Sequence, residues 1–282
     1  MLGEQRAELL KLIGDGTGQG GEPISKLGYF CAPFRPDAGP FADRVIKVYR
    51  GGGHTVALDR LAGAHEAYVA VLRDSGVPLP ETEFVLLETG GERVPVIVQQ
   101  ALPADSMMRP QMISASLDGA LDLMEAAGEV IATFWAFVAG RPGRIGFHPS
   151  IRNLAVIDGQ AIFFDTFPPL IGYSHAEMGR LLAAYSGSAA MRLAATVMRR
   201  RVSAIQDEWY SPPETLIGLV GSACRLRPED APAFLDWGRD FAQRRMPDHA
   251  LAVVDGLAGP PRLPGIWVAA RRFLGLEGKS NL

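Results

Sequence analysis

The sequence predicts an α+β protein in which a small β-rich N-terminal part precedes a larger helical part. Apolar runs of strand length, bounded by glycine and proline, are concentrated before residue 102. Apolar residues at helical spacing dominate the rest of the chain. The stretch 144–169 interrupts those helical patterns with two apolar runs joined by Asp-Gly, a pattern typical of a β-hairpin.

The chain begins with a predicted helix and a predicted strand. Residues 4–13 place Leu9, Leu10 and Ile13 at helical spacing, and the glycine-rich run after them predicts a linker. Further on, the segment RVIKVYR carries three apolar residues around a lone Lys47, which predicts a buried strand.

A second helix and a hairpin complete the N-terminal part. A helix is predicted over residues 54–76, ended by glycine and proline, with one apolar face formed by Val56, Leu61, Ala64, Tyr68, Val71 and Leu72. Two strand-like runs follow, EFVLLET and RVPVIVQQAL, and Gly90-Gly91 between them predicts a hairpin turn.

Long amphipathic patterns dominate the second part of the chain. They predict helices over residues 116–140 and 175–209, with the hairpin stretch between them. Four acidic residues on one face of the first of these helices are expected to be solvated: Asp118, Asp122, Glu125 and Glu129. Aromatic residues of the helical part are expected to pack in the core, or to form the wall of a ligand pocket: Trp135, Phe137, Trp209, Tyr210, Trp237 and Trp267.

Composition excludes several classes of protein. The 28 lysines and arginines against 31 acidic residues give a net charge of −3, so no basic field exists to hold nucleic acid or an anionic membrane. Two distant cysteines form neither a disulfide framework nor a zinc motif. The sequence shows no signal-like or membrane-spanning run of about 18 apolar residues. We therefore expect a soluble, cytoplasmic protein whose partner is a small-molecule substrate.

Four polar residues stand out against this background: Lys47 in the buried strand, Glu66 on the next helix, and Asn153 and Asp165 on either side of the hairpin. Their order resembles that of the protein-kinase and aminoglycoside-phosphotransferase superfamily. The resemblance covers residues 22–180 and implies a bilobal fold. Its N-lobe would span residues 1–101, and its helical C-lobe residues 102–282.

The resemblance also implies roles for these residues, with ATP and Mg²⁺ as cofactors. Lys47 would contact the α- and β-phosphates and pair with Glu66, while Asn153 and Asp165 would hold magnesium. The segment 95–105, which includes Gln99 and Ala101, would pair with the adenine through backbone groups. Structural interpretations of these residues remain open. Lys47 could be a solvent-facing lysine at a sheet edge, and Asn153 and Asp165 could be turn formers. Glu66 could be a solvated helix residue, in which case Glu81 or Glu83 would pair with Lys47.

The sequence departs from this superfamily in the catalytic loop. His148 stands five positions before Asn153, where the superfamily has its catalytic-base aspartate. A neutral histidine can accept a proton, but it adds no negative charge to a magnesium site. The other interpretation of His148 is a structural histidine satisfied by the backbone.

The loops expected around the phosphates differ as well. Residues 27–41 lack the G-x-G-x-x-G pattern that covers phosphates in protein kinases. Thr-Phe-Pro-Pro follows Asp165, and two prolines disfavour a mobile activation loop.

We therefore predict a kinase-like phosphotransferase that acts on a small-molecule hydroxyl or amine. Two alternatives remain. One is a repurposed kinase-fold enzyme that catalyses nucleotidyl transfer or cyclisation of a phosphorylated substrate. The other is a non-catalytic pseudokinase that binds a nucleotide.

Overall fold

The computed structural model describes residues 3–14, 31, 33–50, 57–185 and 207–261. Within them the protein is a mixed α+β structure with two small sheets. The helices are α1 Gly3–Gly14, α2 Leu58–Asp74, α3 Met108–Ser114, α4 Leu117–Val138, α5 His175–Tyr185, α6 Pro212–Leu226, α7 Ala231–Arg245 and α8 Ala250–Gly256. The strands are β1 Arg44–Val48, β2 Thr82–Thr89, β3 Glu92–Gln100, β4 Leu154–Ile157 and β5 Gln160–Phe163. The α+β class predicted from the sequence is therefore confirmed.

The larger sheet has the order β1-β3-β2, and both pairings are antiparallel. The predicted hairpin β2–β3 turns at Gly90 and Gly91, whose φ angles of 59° and 78° are accessible mainly to glycine. β1, the strand that carries Lys47, joins the far side of this hairpin, with Lys47 opposite Ile97. The strand, helix and hairpin predicted for this part are confirmed.

The two faces of this sheet pack against different parts of the chain. One face carries valine and leucine side chains that form a small core with Leu9 and Ile13 of α1 and with Phe34 and Phe41. The other face, which includes Ile97, joins a large core shared with α2 and the C-terminal helices. Because side chains alternate along a strand, Lys47 falls on the second face.

Helix α2 is amphipathic, but its buried face is turned slightly from the predicted one. Its buried residues are Leu61, His65, Tyr68, Val69 and Leu72. The chain leaves the helix through Gly76, whose φ of 83° continues no helix. The rotation of α2 about its axis determines which of its polar residues points inward.

The predicted second hairpin is also confirmed. Four-residue strands β4 and β5 pair antiparallel, and the turn at Asp158 and Gly159 has φ angles of 50° and 76°. Both strands are rich in buried side chains, and Phe163 packs edge-on to Phe147 at 4.9 Å between ring centroids. The hairpin is thus fixed to the helical core, and the polar residues Asn153 and Asp165 lie at its two ends.

Helices α4, α6 and α7 form the body of the helical part. Gly128 of α4 allows close approach, since a Cβ there would lie 2.7 Å from the ring of Phe241 on α7. The acidic residues of α4 lie at the surface as expected, and two of them form exposed ion pairs: Glu125 with Arg244, and Glu129 with Arg245. Among the described helices, none is long and apolar enough to cross a membrane.

Candidate functional site

Lys47 is buried between the larger sheet and the hairpin β4–β5. Its side chain belongs to a residue only 7% exposed, and its Nζ donates a hydrogen bond to the carbonyl oxygen of Phe164 at 2.8 Å. Burial lowers the pKa of Lys47, while the carboxylate of Asp165 acts in the opposite direction. The interpretation of Lys47 as a solvent-facing edge lysine is therefore wrong.

Asp165 follows β5 by two residues and lies within electrostatic range of Lys47. Burial raises the pKa of Asp165, whereas Lys47 and a hydrogen bond from the backbone N–H of Phe167 favour its charged form. The structure thus brings together a cation from β1 and a carboxylate from the loop after β5. Both are costly to bury singly, and each compensates the other in part.

Asn153 lies next to this pair across the hairpin. Leu154 pairs with Phe163, and one step further the N–H of Phe164 donates to the carbonyl oxygen of Asn153 at 3.1 Å. The side-chain Nδ2 of Asn153 donates to the carbonyl oxygen of His148 at 3.0 Å. Because its nitrogen is engaged in this way, the Oδ1 atom of Asn153 is the group left to meet a cation.

The oxygen donors present suit magnesium that arrives with a nucleotide. Asn153 would offer one amide oxygen and Asp165 one carboxylate. In the described ranges, no group of three or more His, Cys, Asp or Glu side chains could hold a metal ion. Magnesium keeps several waters and is commonly bound through one or two protein oxygens plus phosphates. The donor set fits that mode and is too small for an all-protein cage.

His148 lies in the loop before Asn153, and its carbonyl oxygen accepts the hydrogen bond from the Asn153 side chain. It is solvent-exposed, and its ring centroid lies 5.2 Å from that of Trp209. The protein packed around the loop lowers the pKa of His148, so the imidazole is neutral at pH 7. A neutral, accessible imidazole beside Asn153 can accept a proton.

The predicted pairing of Lys47 with Glu66 is wrong. Glu66 is exposed on α2, and its neighbour His65 occupies the inward position instead. Successive residues of a helix point about 100° apart, and with His65 turned inward Glu66 faces solvent. His65 is 2% exposed, and its Nε2 lies 2.9 Å from the Oγ1 of Thr166, directly after Asp165.

Burial also determines the charge of His65. Desolvation, with a smaller contribution from Lys47, lowers the pKa of His65 to about 3. The α2 residue beside the Lys47–Asp165 pair is therefore neutral, where the resemblance implied a carboxylate. His65 was not part of the predicted apolar face of α2, and only the exact phase of the helix identifies it.

Gln99 lies near the end of β3 and Ala101 directly after it, and the Gln99 side chain and the Ala101 N–H already make hydrogen bonds within the protein. Gln99 is 2% exposed and its Nε2 donates to the Oγ1 of Thr82 at 2.9 Å. The N–H of Ala101 donates to the carbonyl oxygen of Asp43 at 2.9 Å. The expected adenine contact through the N–H of Ala101 would have to displace that bond, so Ala101 is not a ready donor.

Two further residues, which sequence reasoning missed, surround Lys47. The hydroxyl of Tyr49 hydrogen-bonds to the thiol of Cys31, and burial raises the pKa of Cys31 to about 11. The thiol is therefore protonated and unreactive at neutral pH. Of the predicted phosphate-covering loop, residues 27–30 and 32 lie outside the described residues.

A cleft of about 560 Å³ lies on the other side of the larger sheet. Its walls include Phe41, Arg44, Glu81 and Val98. Arg44 and Val98 alternate away from Lys47 along their strands, so this cleft is separate from the Lys47–Asp165 pair.

Residues 8–278 match the model of DUF6206, described as a family of unknown function. The chain belongs to this family. No curated protein matches the sequence.

Two kinases are among the similar solved structures. One is the LegK7 effector kinase of Legionella pneumophila, at 14% identity and a TM-score of 0.32, with 93% of this chain and 57% of that chain covered. The DUF6206 chain thus spans little more than half of LegK7. The other is a glucosamine kinase in complex with glucosamine, ADP and inorganic phosphate, at 12% identity and a TM-score of 0.28, with 80% and 78% covered. These scores are too low to establish a shared fold.

Proposed function

We propose that this DUF6206 protein has a kinase-like bilobal fold and binds ATP with Mg²⁺ between its sheet and its helical part. Lys47 binds the phosphates, and Asn153 and Asp165 hold the metal. The protein then transfers a phosphoryl group to a hydroxyl or amine of a small molecule next to His148.

One observation carries this proposal. Lys47 donates to the carbonyl oxygen of Phe164 across 117 residues of sequence, which places a buried ammonium beside Asp165. The surrounding topology supports the proposal. The strand that carries Lys47 forms a sheet of order β1-β3-β2 with the first hairpin, and this sheet faces the short hairpin β4–β5 that runs between Asn153 and Asp165. Phosphoryl transfer needs this combination of a cation and metal-binding oxygens and little covalent chemistry from the protein.

His148 supplies the proton acceptor in this proposal. Its imidazole is neutral at pH 7 and can therefore accept the proton of the attacking group. As the acceptor oxygen attacks the γ-phosphorus, its proton passes to the imidazole, and ADP leaves with the bridging oxygen and its electron pair. The imidazole adds no negative charge near the metal, unlike the carboxylate it replaces.

A second candidate function is nucleotide binding without phosphoryl transfer. The exposed Glu66 and the neutral His65 favour it, because active protein kinases require an ion pair between the lysine and a glutamate on the helix. A nucleotide-dependent regulator would need only Lys47 and the metal oxygens.

The first experiment is a thermal-shift measurement with ATP, ADP and GTP, each with and without Mg²⁺. A ligand that binds only the native state raises Tm by mass action, and we expect a magnesium-dependent rise with ATP. Lys47→Met should remove this rise, while Lys11→Met, at an exposed lysine of α1, should keep it. If no nucleotide raises Tm at millimolar concentration, both candidate functions are wrong.

Turnover separates the two candidates. ATP consumption is measured with a panel of small hydroxyl and amine acceptors, and His148→Ala is compared with the unchanged protein. Loss of turnover by at least about 100-fold with unchanged ATP affinity identifies His148 as the base. Magnesium-dependent binding without turnover on any acceptor supports the second candidate instead.

A further inference from the structure

Among the residues that the structure describes, three buried polar atoms near the candidate site have no hydrogen-bond partner. They are the hydroxyls of Tyr68 and Tyr210 and the Nη1 atom of Arg144. Buried polar groups in proteins are almost always hydrogen-bonded, to the protein itself or to something bound. Three such atoms in one neighbourhood therefore indicate a missing partner.

Their proximity follows from their contacts. The guanidinium carbon of Arg144 lies 3.5 Å from the ring centroid of Tyr210. The hydroxyl of Tyr68, which belongs to a residue 1% exposed, lies within electrostatic range of Tyr210 and of Asp165. The three groups thus form a cluster that begins at Asp165 and runs to the loop of His148.

Close backbone packing holds this cluster together. The N–H of Gly146 donates to Leu170 and that of Phe147 to Trp209, both at 2.7 Å. A Cβ on Gly146 would lie 2.7 Å from the carbonyl oxygen of Trp209 and 2.9 Å from the ring of Tyr210. At Gly146, therefore, the loop before His148 is in direct contact with the segment before α6.

The chemistry of the cluster favours an anion. Arg144 supplies a guanidinium, and the carboxylate of Asp207 lies 3.6 Å from its Nη2 and is 67% exposed, which makes a weak pair. Burial raises the pKa of Tyr210 to about 12 and that of Tyr68 as well, so both hydroxyls are protonated donors at pH 7. A guanidinium with two hydroxyl donors matches a carboxylate or phosphate group.

We propose that Arg144, Tyr68 and Tyr210 form an anion-binding subsite beside His148, and that the substrate is a small acid that carries a carboxylate or phosphate. The reacting hydroxyl or amine of that acid lies next to His148 while its acidic group is held by Arg144. The substrate role rests on the proposed function, whereas the anion subsite itself does not.

The test uses inorganic phosphate and acetate as probes, with sodium chloride at matched ionic strength as the reference. Binding is measured by thermal shift and by calorimetry, and we expect dissociation constants on the order of 1 mM for such small ions. Arg144→Gln should weaken binding of the preferred anion by about tenfold or more, and Tyr210→Phe by a few-fold. Preference for phosphate or for acetate identifies which acid the subsite takes.

Arg141→Gln is the matched control on the same loop. Arg141 stacks on Phe137 at 3.7 Å and its Nε donates to the carbonyl oxygen of Phe137 at 3.1 Å, away from the cluster. This variant should bind both probes as the unchanged protein does. Equal binding by the unchanged protein and by Arg144→Gln would overturn the proposal.

Tyr68→Phe separates a ligand subsite from a pocket of structural water. Without a partner for the hydroxyl, its removal should leave Tm unchanged or raise it by about 2 °C, and the anion-induced shift should become smaller. A lower Tm together with an unchanged anion-induced shift would mean that water alone satisfies Tyr68, and it would overturn the proposal.

The Lys47→Met variant distinguishes the anion subsite from the proposed ATP site. Phosphate that binds at the cluster should still bind when Lys47 is replaced, whereas ATP should not. If the unchanged protein fails to bind ATP but its anion response still requires Arg144, the proposed function is wrong and the subsite stands. If ATP binds and the anion response ignores Arg144, the subsite is wrong and the proposed function stands.

Discussion

The two hairpins of this protein use the same kind of turn but differ in what their strands carry. β2–β3 turns at Gly90-Gly91 and β4–β5 at Asp158-Gly159, each with two consecutive positive φ angles. The strands of the first are eight and nine residues long, and one face of the hairpin packs on α1. The strands of the second are four residues long and run between Asn153 and Asp165.

This difference in strand length indicates that the long hairpin contributes mainly to stability and that the short hairpin positions the site residues. A long hairpin buries many apolar side chains, and it can tolerate polar ends far from the core. A four-residue hairpin keeps both of its ends close to the core that fixes it, so its flanking residues are held in place next to Lys47.

The largest expected effect comes from Asp165→Asn, at the end of the short hairpin. Loss of the carboxylate should weaken magnesium-dependent ATP binding by about 100-fold or more, because a neutral amide compensates neither Mg²⁺ nor Lys47. Calorimetry with and without Mg²⁺ measures this change. Asp158→Asn in the turn of the same hairpin is the control, since asparagine tolerates positive φ and we expect unchanged affinity. Persistent metal-dependent binding in Asp165→Asn would remove Asp165 from the metal site.

Leu87→Ala in the long hairpin should affect stability and not binding. Leu87 is fully buried, and the cavity should lower the free energy of unfolding by about 3 kcal/mol with ATP affinity unchanged. Urea unfolding measures the first quantity and calorimetry the second. Leu251→Ala, at a side chain 84% exposed, should change stability by less than about 0.5 kcal/mol. A fall in ATP affinity for Leu87→Ala would contradict the division between the hairpins.

His65 should make the region behind the short hairpin sensitive to acid. Its folded pKa of about 3 lies below the unfolded value of about 6.5, so the unfolded chain binds the extra proton first. Stability from this group is complete above about pH 6.5 and is lost as the pH falls toward 3. Between pH 7.5 and 5 the loss should be about 2 kcal/mol.

Urea unfolding of the unchanged protein and of His65→Gln, at both pH values, tests this. The variant should be less stable at pH 7.5 but should lose about 2 kcal/mol less than the unchanged protein on acidification. His249→Gln, at a half-buried histidine, serves as the control and should retain the full pH dependence. The same pH dependence in His65→Gln would show that another group titrates.

The smallest expected effects are at the two turns. Gly91→Ala and Gly159→Ala should each cost about 1 kcal/mol, because a Cβ there meets no atom but the positive φ strains it. Urea unfolding should give similar values for both variants. If the hairpins differ as proposed, only Gly159→Ala should also weaken ATP binding, since its strain lies close to Asn153 and Asp165. Equal ATP affinities would show that the short hairpin tolerates strain without moving its ends.

Much of the architecture could be predicted because it depends on local chemistry. Gly-Gly and Asp-Gly between apolar runs fix both hairpins, and alternation in RVIKVYR fixes the strand of Lys47. The positions of Lys47, Asn153 and Asp165 follow from that architecture once the two sheets meet. The helix at residue 175 could be predicted too, although residues 186–206 of its pattern lie outside the described residues.

The errors lie where a distant partner decides between neighbouring choices. Glu66 and His65 are adjacent, and the periodicity of α2 left the exact boundary of its buried face open. The backbone of residues 95–105 was expected to pair with adenine, but one of its groups, the N–H of Ala101, already donates to the carbonyl oxygen of Asp43.

The sequence by itself determined the element order, the two turns, the strand that holds Lys47 and the replacement of an expected aspartate by His148. These features depend on residues within a few positions of each other, where backbone sterics and side-chain periodicity decide. Only the tertiary structure decided that α2 presents His65 and that Tyr68, Arg144 and Tyr210 meet beside Asp165. Such features depend on helix phase and loop docking, because a rotation of about 100° per residue exchanges a buried side chain for an exposed one.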